Sequence, residues 1–340
     1  MLHSSYIERI NITMKNKVIL KIRAGSHLYG LNTPTSDEDF IGVYLSTPEE
    51  LLGLNHSEII DESVVDKDET GKNTQDAVDC KYYELRKFCQ LCLNANPTIL
   101  ELLYAPDENI VEVDKFGKLL MQSRNLFLST KIKHSFVGYA HSQMHKSQVK
   151  TENLQGLKKA LKYFETLDEV DRNKMLCDFF KIDKSTLLER SWNNISLTAD
   201  KNFPSYVIIG DLKFNNQKIK SVIEKIQLRV NNATNRADGM LKHGCDPKFV
   251  SHTLRLLDEG EELLTTGFLE LPLKNRDYLL KIKKAELDFD EVLKEADERI
   301  KKLEEMKDED TVLTKKPDSK AVDRLVYSIY RDYLVEVLDV

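Results

Sequence analysis

The hydrophobic pattern changes from strand-like to helical near residue 84. Residues 17–23 form an apolar run that predicts a buried strand, and residues 24–26 end it with the small side chains of a tight strand-to-helix turn. Residues 39–45 are again strand-like, because β-branched and aromatic residues make up a short apolar run. Residues 58–66 and 75–83 are two further strand candidates, and the turn-forming residues between them predict a hairpin.

From residue 84 onward the apolar positions repeat at helical spacing. One stripe of the first helix consists of Leu85, Phe88, Cys89 and Cys92. Longer helices are predicted for residues 114–127, 249–265 and 289–306. Residues 178–217 contain β-type residues and the single Trp, which indicates a small β insertion. The sequence therefore predicts an α/β (α+β) domain with a short mixed sheet over residues 1–125, then a mostly helical domain over residues 126–340 that carries this insertion.

Composition places the chain among globular proteins with more than one core. Single cores stop growing at roughly 250–300 residues, and this chain has 340 residues, of which 41% are hydrophobic and 31% charged. No run approaches the roughly 20 apolar residues of a membrane span, and the N-terminus lacks the apolar centre of a signal peptide. The five cysteines are scattered, which is not typical of a disulfide framework. We therefore expect a cytoplasmic protein with reduced thiols and no membrane partner.

Charge is distributed unevenly along the chain. The formal net charge is −6, yet residues 37–79 contain thirteen acidic residues against two lysines, and residues 213–255 contain nine basic residues against three acidic ones. The first stretch could hold cations and the second a polyanion. Solvated faces of opposite sign, which only keep the protein soluble, are an equally good interpretation.

Asp37 and Asp39 are the residues with the clearest chemical pattern. Residues two apart on a strand point to the same face, so these carboxylates lie side by side with Cα atoms about 7 Å apart. Hard oxygen ligands favour Mg²⁺ or Mn²⁺, and Asp79 on the hairpin strand is placed to be a third ligand. The backbone N–H groups of Gly25 and Ser26 could bind phosphate oxygens that the same ions bridge. The alternative is that the two carboxylates only cap a turn.

The motifs around these residues resemble a known family. Gly25-Ser26-His27-Leu28-Tyr29-Gly30, then Ser36-Asp37-Glu38-Asp39 and Gly42, are similar to the predicted nucleotidyltransferases of the DNA polymerase beta superfamily. That family is often found associated with RNA ligases, and phage genomes commonly carry relatives. The resemblance continues through residues 79–88, Asn96-Pro97 with Glu101, and late in the chain Lys248, His252 and Arg255.

The resemblance implies a polymerase-beta-type fold and a division of roles among the residues. Metal binding and catalysis are implied for Asp37, Asp39 and Asp79. Nucleotide binding is implied for Gly25, Ser26, His27, Tyr29, Lys248, His252 and Arg255. Lys248, His252 and Arg255 fall at helical spacing and share one face, although solvated basic residues are commoner on helices. Cys89 with Cys92, and His141 with His145, are interpreted as structural, because no second ligand pair or H-E-x-x-H pattern accompanies them.

The expected activity is transfer of a nucleoside monophosphate from an NTP to a hydroxyl by two-metal catalysis. The association of the family with RNA ligases points to an RNA or tRNA end as acceptor and to an RNA ligase as a possible partner. A protein or small-molecule acceptor is a first alternative, which the net acidity favours slightly. A non-catalytic nucleotide-sensing protein is a second. If a phage encodes the chain, the host cytoplasm is its expected location.

Overall fold

The computed structural model describes residues 15–34, 36–54, 56–66, 78–180, 190–192, 195–199, 206–232 and 244–338. By spatial compactness the chain divides into two units. Unit 1 contains Met1–Tyr139, Arg255–Leu280 and Arg299–Val340. Unit 2 contains Ala140–Leu254 and Lys281–Glu298. Each unit is described below by itself.

The described strands and helices follow the chain in this order. The strands are β1 (Lys17–Arg23), β2 (Glu38–Leu45), β3 (Ile59–Asp61), β4 (Val78–Glu84), β5 (Ile110–Val113), β6 (Arg190–Trp192), β7 (Ile195–Ala199), β8 (Tyr206–Ile209) and β9 (Leu212–Asn215). The helices are α1 (Gly25–Leu28), α2 (Pro48–Leu52), α3 (Leu85–Leu93), α4 (Pro97–Leu100), α5 (Lys115–Gln122), α6 (Lys131–Glu165), α7 (Glu169–Arg172), α8 (Leu176–Phe179), α9 (Ile219–Asn232), α10 (Pro247–Thr266), α11 (Arg276–Lys283), α12 (Phe289–Glu305) and α13 (Ser319–Leu338).

Unit 1 is built on a five-stranded sheet with the order β3-β4-β2-β1-β5. β1 pairs with β2 and β5 in the antiparallel direction, β3 and β4 form the predicted antiparallel pair, and β2 and β4 run parallel. The loop predicted between β3 and β4, and the first residues of the predicted strand 75–83, lie outside the described residues. The mixed sheet confirms the predicted fold class for this part of the chain.

Helix α3 packs its predicted stripe into the core of unit 1. Leu85, Phe88, Cys89 and Cys92 are all buried. Burial raises the pKa of the Cys89 thiol far above its usual range, because the interior disfavours a thiolate. The stripe is therefore structural, as predicted, and among the described residues all cysteines are free thiols.

The region after α4 differs from its prediction. The sequence predicts one helix over 114–127, whereas α5 begins after Asp114 and a separate 3-10 turn follows at Arg124–Phe127. The Asp114 carboxylate caps α5 by accepting hydrogen bonds from the backbone N–H groups of Phe116 and Gly117, at 2.8 and 2.9 Å. Strand β5 was not predicted, because its four residues form a strand only by pairing with β1 at the edge of the sheet.

Unit 2 contains the predicted β insertion. Strands β6 to β9 form an antiparallel sheet in sequence order, and helices make up most of the remaining described residues after the first sheet. This confirms the predicted mostly helical region with a small β element. The core of this unit draws on α6, β8, β9 and α9, and includes Leu157, Phe164, Ile209, Phe214, Val222 and Ile226. Within the described part of the chain no helix has the length and apolar character to cross a membrane.

Candidate active site

The turn after β1 is pressed against the side chain of Asp39. Gly25 has a φ of +60°, and the Ala24 N–H donates a hydrogen bond of 2.8 Å to the backbone carbonyl of Asp39. A Cβ built on Gly25 would lie 2.0 Å from Asp39 Oδ2, which is closer than any real contact. Both the backbone conformation and the lack of space therefore require glycine here. The structure brings the predicted Gly25-Ser26 turn and Asp39 into direct contact.

Asp39 and Asp79 are neighbours across the sheet. In the parallel pairing of β2 with β4, Asp39 is in register with Asp79. Neighbouring strands lie about 4.8 Å apart, and residues in register present their side chains on the same face. Asp37 lies two residues before Asp39, immediately ahead of β2, and is exposed. Asp37, Asp39 and Asp79 thus all lie at the end of the sheet where β2 and β4 begin.

Asp79 has contacts that the sequence analysis did not anticipate. Ser63 Oγ donates a hydrogen bond of 2.9 Å to Asp79 Oδ1, and Lys81 Nζ lies 3.4 Å from the same oxygen. Lys81 Nζ is also 3.9 Å from Asp61 Oδ2 on β3. The Asp79 carboxylate raises the pKa of Lys81. The alternation of β4 could have revealed Lys81, because residues two apart on a strand share a face.

The carboxylates do not converge on a single point in this conformation. Among the described residues there is no group of three or more His, Cys, Asp or Glu side chains arranged to hold a metal ion. The donor chemistry nevertheless fits a divalent cation, since Asp39 and Asp79 present hard oxygens on one face of adjacent strands. The predicted metal role of Asp37, Asp39 and Asp79 stays a prediction.

Glu38, between the two aspartates, belongs to a separate ion pair. Arg23 Nε donates a hydrogen bond of 2.7 Å to Glu38 Oε2, and this bond lowers the pKa of Glu38. The side chain of His27 is only 10% exposed, with Nε2 lying 3.6 Å from Glu38 Oε1 and 3.5 Å from the Arg23 guanidinium. His27, predicted to bind nucleotide, is thereby located beside the turn. The ion pair explains a charged residue in the middle of Asp37-x-Asp39.

Tyr29 and Arg255, both predicted to bind nucleotide, lie in a buried network. The Tyr29 hydroxyl donates to Glu101 Oε1, and the Arg255 guanidinium lies 3.8 Å from the Tyr29 ring centroid. Arg255 Nη1 donates to Glu101 Oε2 at 3.0 Å and to Glu259 Oε1 at 2.8 Å. These four side chains are at least 93% buried.

Tyr29 and Arg255 therefore make their contacts within the protein, in a network that is enclosed in the core. The network holds the end of the turn that begins at Gly25. The predicted role of Tyr29 and Arg255 in nucleotide binding stays a prediction. Glu259 was missed by the sequence analysis, although its position four residues after Arg255 on a helix is a recognised ion-pair spacing.

Lys248 and His252 lie on the part of α10 that belongs to unit 2, whereas Arg255 belongs to unit 1. Both side chains are half-buried and have partners within the protein. The helix and the spacing agree with the sequence analysis. Their role in nucleotide binding stays a prediction.

Comparisons with known proteins agree with the resemblance seen in the motifs. Residues 3–167 match the model of the RNA repair pathway DNA polymerase beta family. The chain is 27% identical over 284 residues to an uncharacterized 38.9 kDa protein of the nrdC-mobD intergenic region of Enterobacteria phage T4, a match that covers 78% of this chain and 82% of the phage protein. No solved structure matches the chain significantly. The family supports a nucleotidyltransferase-like function. Through residues 3–167, this chain is similar to the RNA repair pathway DNA polymerase beta family.

Proposed function

We propose that the chain is a metal-dependent nucleotidyltransferase that moves a nucleoside monophosphate from an NTP to an acceptor hydroxyl. The observation that carries this proposal is the contact between the Gly25 turn and Asp39, together with the register of Asp39 and Asp79. A phosphate-binding turn and a pair of carboxylates then adjoin each other. Nucleotidyl transfer needs this combination, because the same phosphates must be held and their charge neutralised.

Different residues would bind the triphosphate, hold the metal ions and accept the proton. Backbone N–H groups at Gly25 and Ser26 would hold the triphosphate, since the first N–H groups of a helical turn have no acceptor within the turn. Asp37, Asp39 and Asp79 would hold Mg²⁺ or Mn²⁺, which supplies a Lewis acid for the attacking hydroxyl and the departing pyrophosphate. The acceptor oxygen bonds to the α-phosphorus, the bond to pyrophosphate breaks, and the hydroxyl proton leaves to Asp79 or to solvent.

Lys81 would hold the Asp79 side chain in place before substrate binds. Its ammonium lies between Asp79 and Asp61 and offsets their negative charge. When a cation takes this place, Lys81 would keep its contact with Asp61 and release Asp79. The two partially exposed pairs are individually weak, so the exchange is energetically small.

An RNA end is the acceptor that the observations favour. The matched family is named for an RNA repair pathway. In unit 2, the described part of the basic stretch carries exposed lysines on β9, ahead of α9 and on α9, namely Lys213, Lys218, Lys220 and Lys225. Phosphate contacts by such lysines would give affinity for a polynucleotide. A tRNA end, and cooperation with an RNA ligase, are the specific forms of this proposal.

The test is transfer of label from α-labelled NTPs. Purified protein is incubated with each NTP, Mg²⁺ or Mn²⁺, and either total RNA or total protein. We expect label on RNA with the wild type, none with Asp39→Asn, and wild-type transfer with Asp107→Asn, which changes an exposed acid of unit 1. Transfer to protein would replace the RNA acceptor by a protein acceptor. Metal-dependent stabilisation by NTP without any transfer or pyrophosphate would instead indicate a nucleotide-sensing protein.

A further inference from the structure

Unit 1 contains an open cavity that includes none of the residues of the candidate active site. Its volume is about 610 Å³, within the usual range of roughly 300–1,000 Å³ for ligand sites. The walls come from the end of α3, the start of α6, residues 315–317 and the start of α13. Elements distant in the sequence therefore enclose a space of ligand size.

The cavity is positively charged in an acidic protein. Lys131, Lys315 and Lys316 line it, and Asp308 is the single acidic residue among the described residues of its walls. Three positive charges against one negative charge leave an excess of two, with His134 counted as neutral. The whole chain carries a net charge of −6, so this excess is opposite in sign to the average of the molecule. Such a local excess attracts anions.

Two of the lysines are held in place by neighbouring side chains. Lys131 Nζ donates a hydrogen bond of 2.6 Å to Asn94 Oδ1, and Lys315 Nζ lies 2.9 Å from Asp308 Oδ2. Lys316 makes no ion pair with any described residue. The cavity thus offers two oriented ammonium groups and a third that is available to a ligand.

The surroundings of the lysines add further donors. Lys131 is the first residue of α6 and Ser319 the first residue of α13, so two long helices begin at this cavity. Helix N-termini carry a partial positive charge, which strengthens the field of the lysines. The hydroxyls of Thr130 and Ser319 are also at the wall.

We propose that this cavity binds phosphate groups of an RNA backbone, away from the acceptor hydroxyl that reacts. The proposal rests on the proposed function for the acceptor class. Among the described residues that line the cavity there is no Phe, Tyr or Trp, so these walls offer a mononucleotide no aromatic surface on which to stack its base. Lysine ammonium groups act as point charges, which suit successive phosphodiesters in an open groove.

The test measures RNA binding directly by fluorescence anisotropy of a labelled single-stranded RNA with the full chain. NTP is omitted and a chelator is present, so the result does not depend on transfer activity. The variant Lys131→Glu/Lys316→Glu is compared with Lys118→Glu/Lys301→Glu, which changes the same charge at exposed positions of unit 1 outside the cavity. We expect roughly tenfold weaker RNA binding for the first variant. The slope of the logarithm of the binding constant against the logarithm of the salt concentration should become smaller in magnitude by about 1.4, or about 0.7 for each lost phosphate contact.

Equal weakening by the two double variants would overturn the proposal, because it would show only a general charge effect. A second arm adds AMP or inorganic phosphate as competitor. Tight mononucleotide binding that depends on the same lysines would also overturn it, in favour of a nucleotide pocket. If the double variant does not fold, Lys316→Met decides the question, with an expected loss of about threefold in RNA affinity. If Lys131→Glu/Lys316→Glu loses RNA binding but still transfers nucleotide to a short RNA acceptor, the cavity binds RNA independently of the active site.

Discussion

The buried network around Arg255 predicts an unusual dependence of stability on pH. Glu101 and Glu259 share one guanidinium, and all three groups are enclosed in unit 1. With both carboxylates ionised the cluster would carry a buried net charge of −1, which the interior disfavours. Burial therefore raises the pKa of Glu259 from 4.5 to about 8, opposed by Arg255 and reinforced by Glu101.

The sign of the effect follows from the protons bound in each state. Between pH 4.5 and 8 the unfolded chain has released the Glu259 proton while the folded chain keeps it. The free energy of unfolding therefore falls with rising pH, by about 1.4 kcal/mol per pH unit. The stabilisation from keeping the Glu259 proton is fully present below pH 4.5 and lost by pH 8. The free energy of unfolding falls by at most about 5 kcal/mol between these two pH values.

Glu259→Gln tests this reasoning. Glutamine cannot ionise, its amide oxygen can still accept the hydrogen bond from Arg255, and Glu101 becomes the only carboxylate paired with the guanidinium. We expect the variant to match the wild type near pH 5, to lose most of the pH slope, and to exceed the wild type by several kcal/mol above pH 8. Glu262→Gln, on the same helix but partly exposed and paired with Lys274, should keep the wild-type slope.

Denaturant unfolding followed by circular dichroism, at a series of pH values from 5 to 9, measures these differences. Because the chain has two compact units, the quantity compared at each pH is the difference between variant and wild type. The reasoning is refuted if Glu259→Gln keeps the wild-type slope. It is also refuted if the variant is less stable than the wild type above pH 8.

Three further substitutions separate the turn from the fold around it. Gly25→Ala should abolish stabilisation by NTP with Mg²⁺ in a thermal shift assay, because the new Cβ would lie 2.0 Å from Asp39 Oδ2 and would push this carboxylate out of place. The same substitution should lower the free energy of unfolding by about 1–3 kcal/mol. Gly117→Ala, whose Cβ would lie 2.0 Å from a β1 carbonyl, should cost a similar amount yet leave the NTP shift intact; loss of that shift would contradict a local role for Gly25. Tyr29→Phe removes the donor to buried Glu101 and should lower the free energy of unfolding by about 1–3 kcal/mol, whereas an unchanged denaturation midpoint would show that the bond contributes nothing.

Local patterns predicted the elements that carry the candidate site. The apolar run of β1, the small residues of the turn and the β-branched run of β2 are contiguous, and all three were predicted from the sequence. Asp39 follows from the same reasoning, because alternation along β2 fixes its face, whereas Asp37 lies one residue ahead of the strand. The family match, over residues 3–167, includes the same stretch of chain.

Local patterns failed where an element depends on a distant partner. Strand β5 has four residues and exists through its pairing with β1. The predicted helix over 114–127 stops early, since a break near Ser123 and the following 3-10 turn are not visible in apolar spacing. Propensity summed over a short window cannot weigh such tertiary contacts.

The sequence by itself determined the strand-turn-strand unit, with Asp37 and Asp39 at the start of its second strand. Only the tertiary structure decided that β4 runs parallel to β2 with Asp79 beside Asp39, because that pairing depends on the path of the chain between them. Only the tertiary structure showed that Tyr29 and Arg255 share a buried network, since Glu101 lies 72 residues from Tyr29 and 154 from Arg255. Periodicity reports which face of an element is apolar, whereas burial of a charge depends on which distant residues enclose and pair with it.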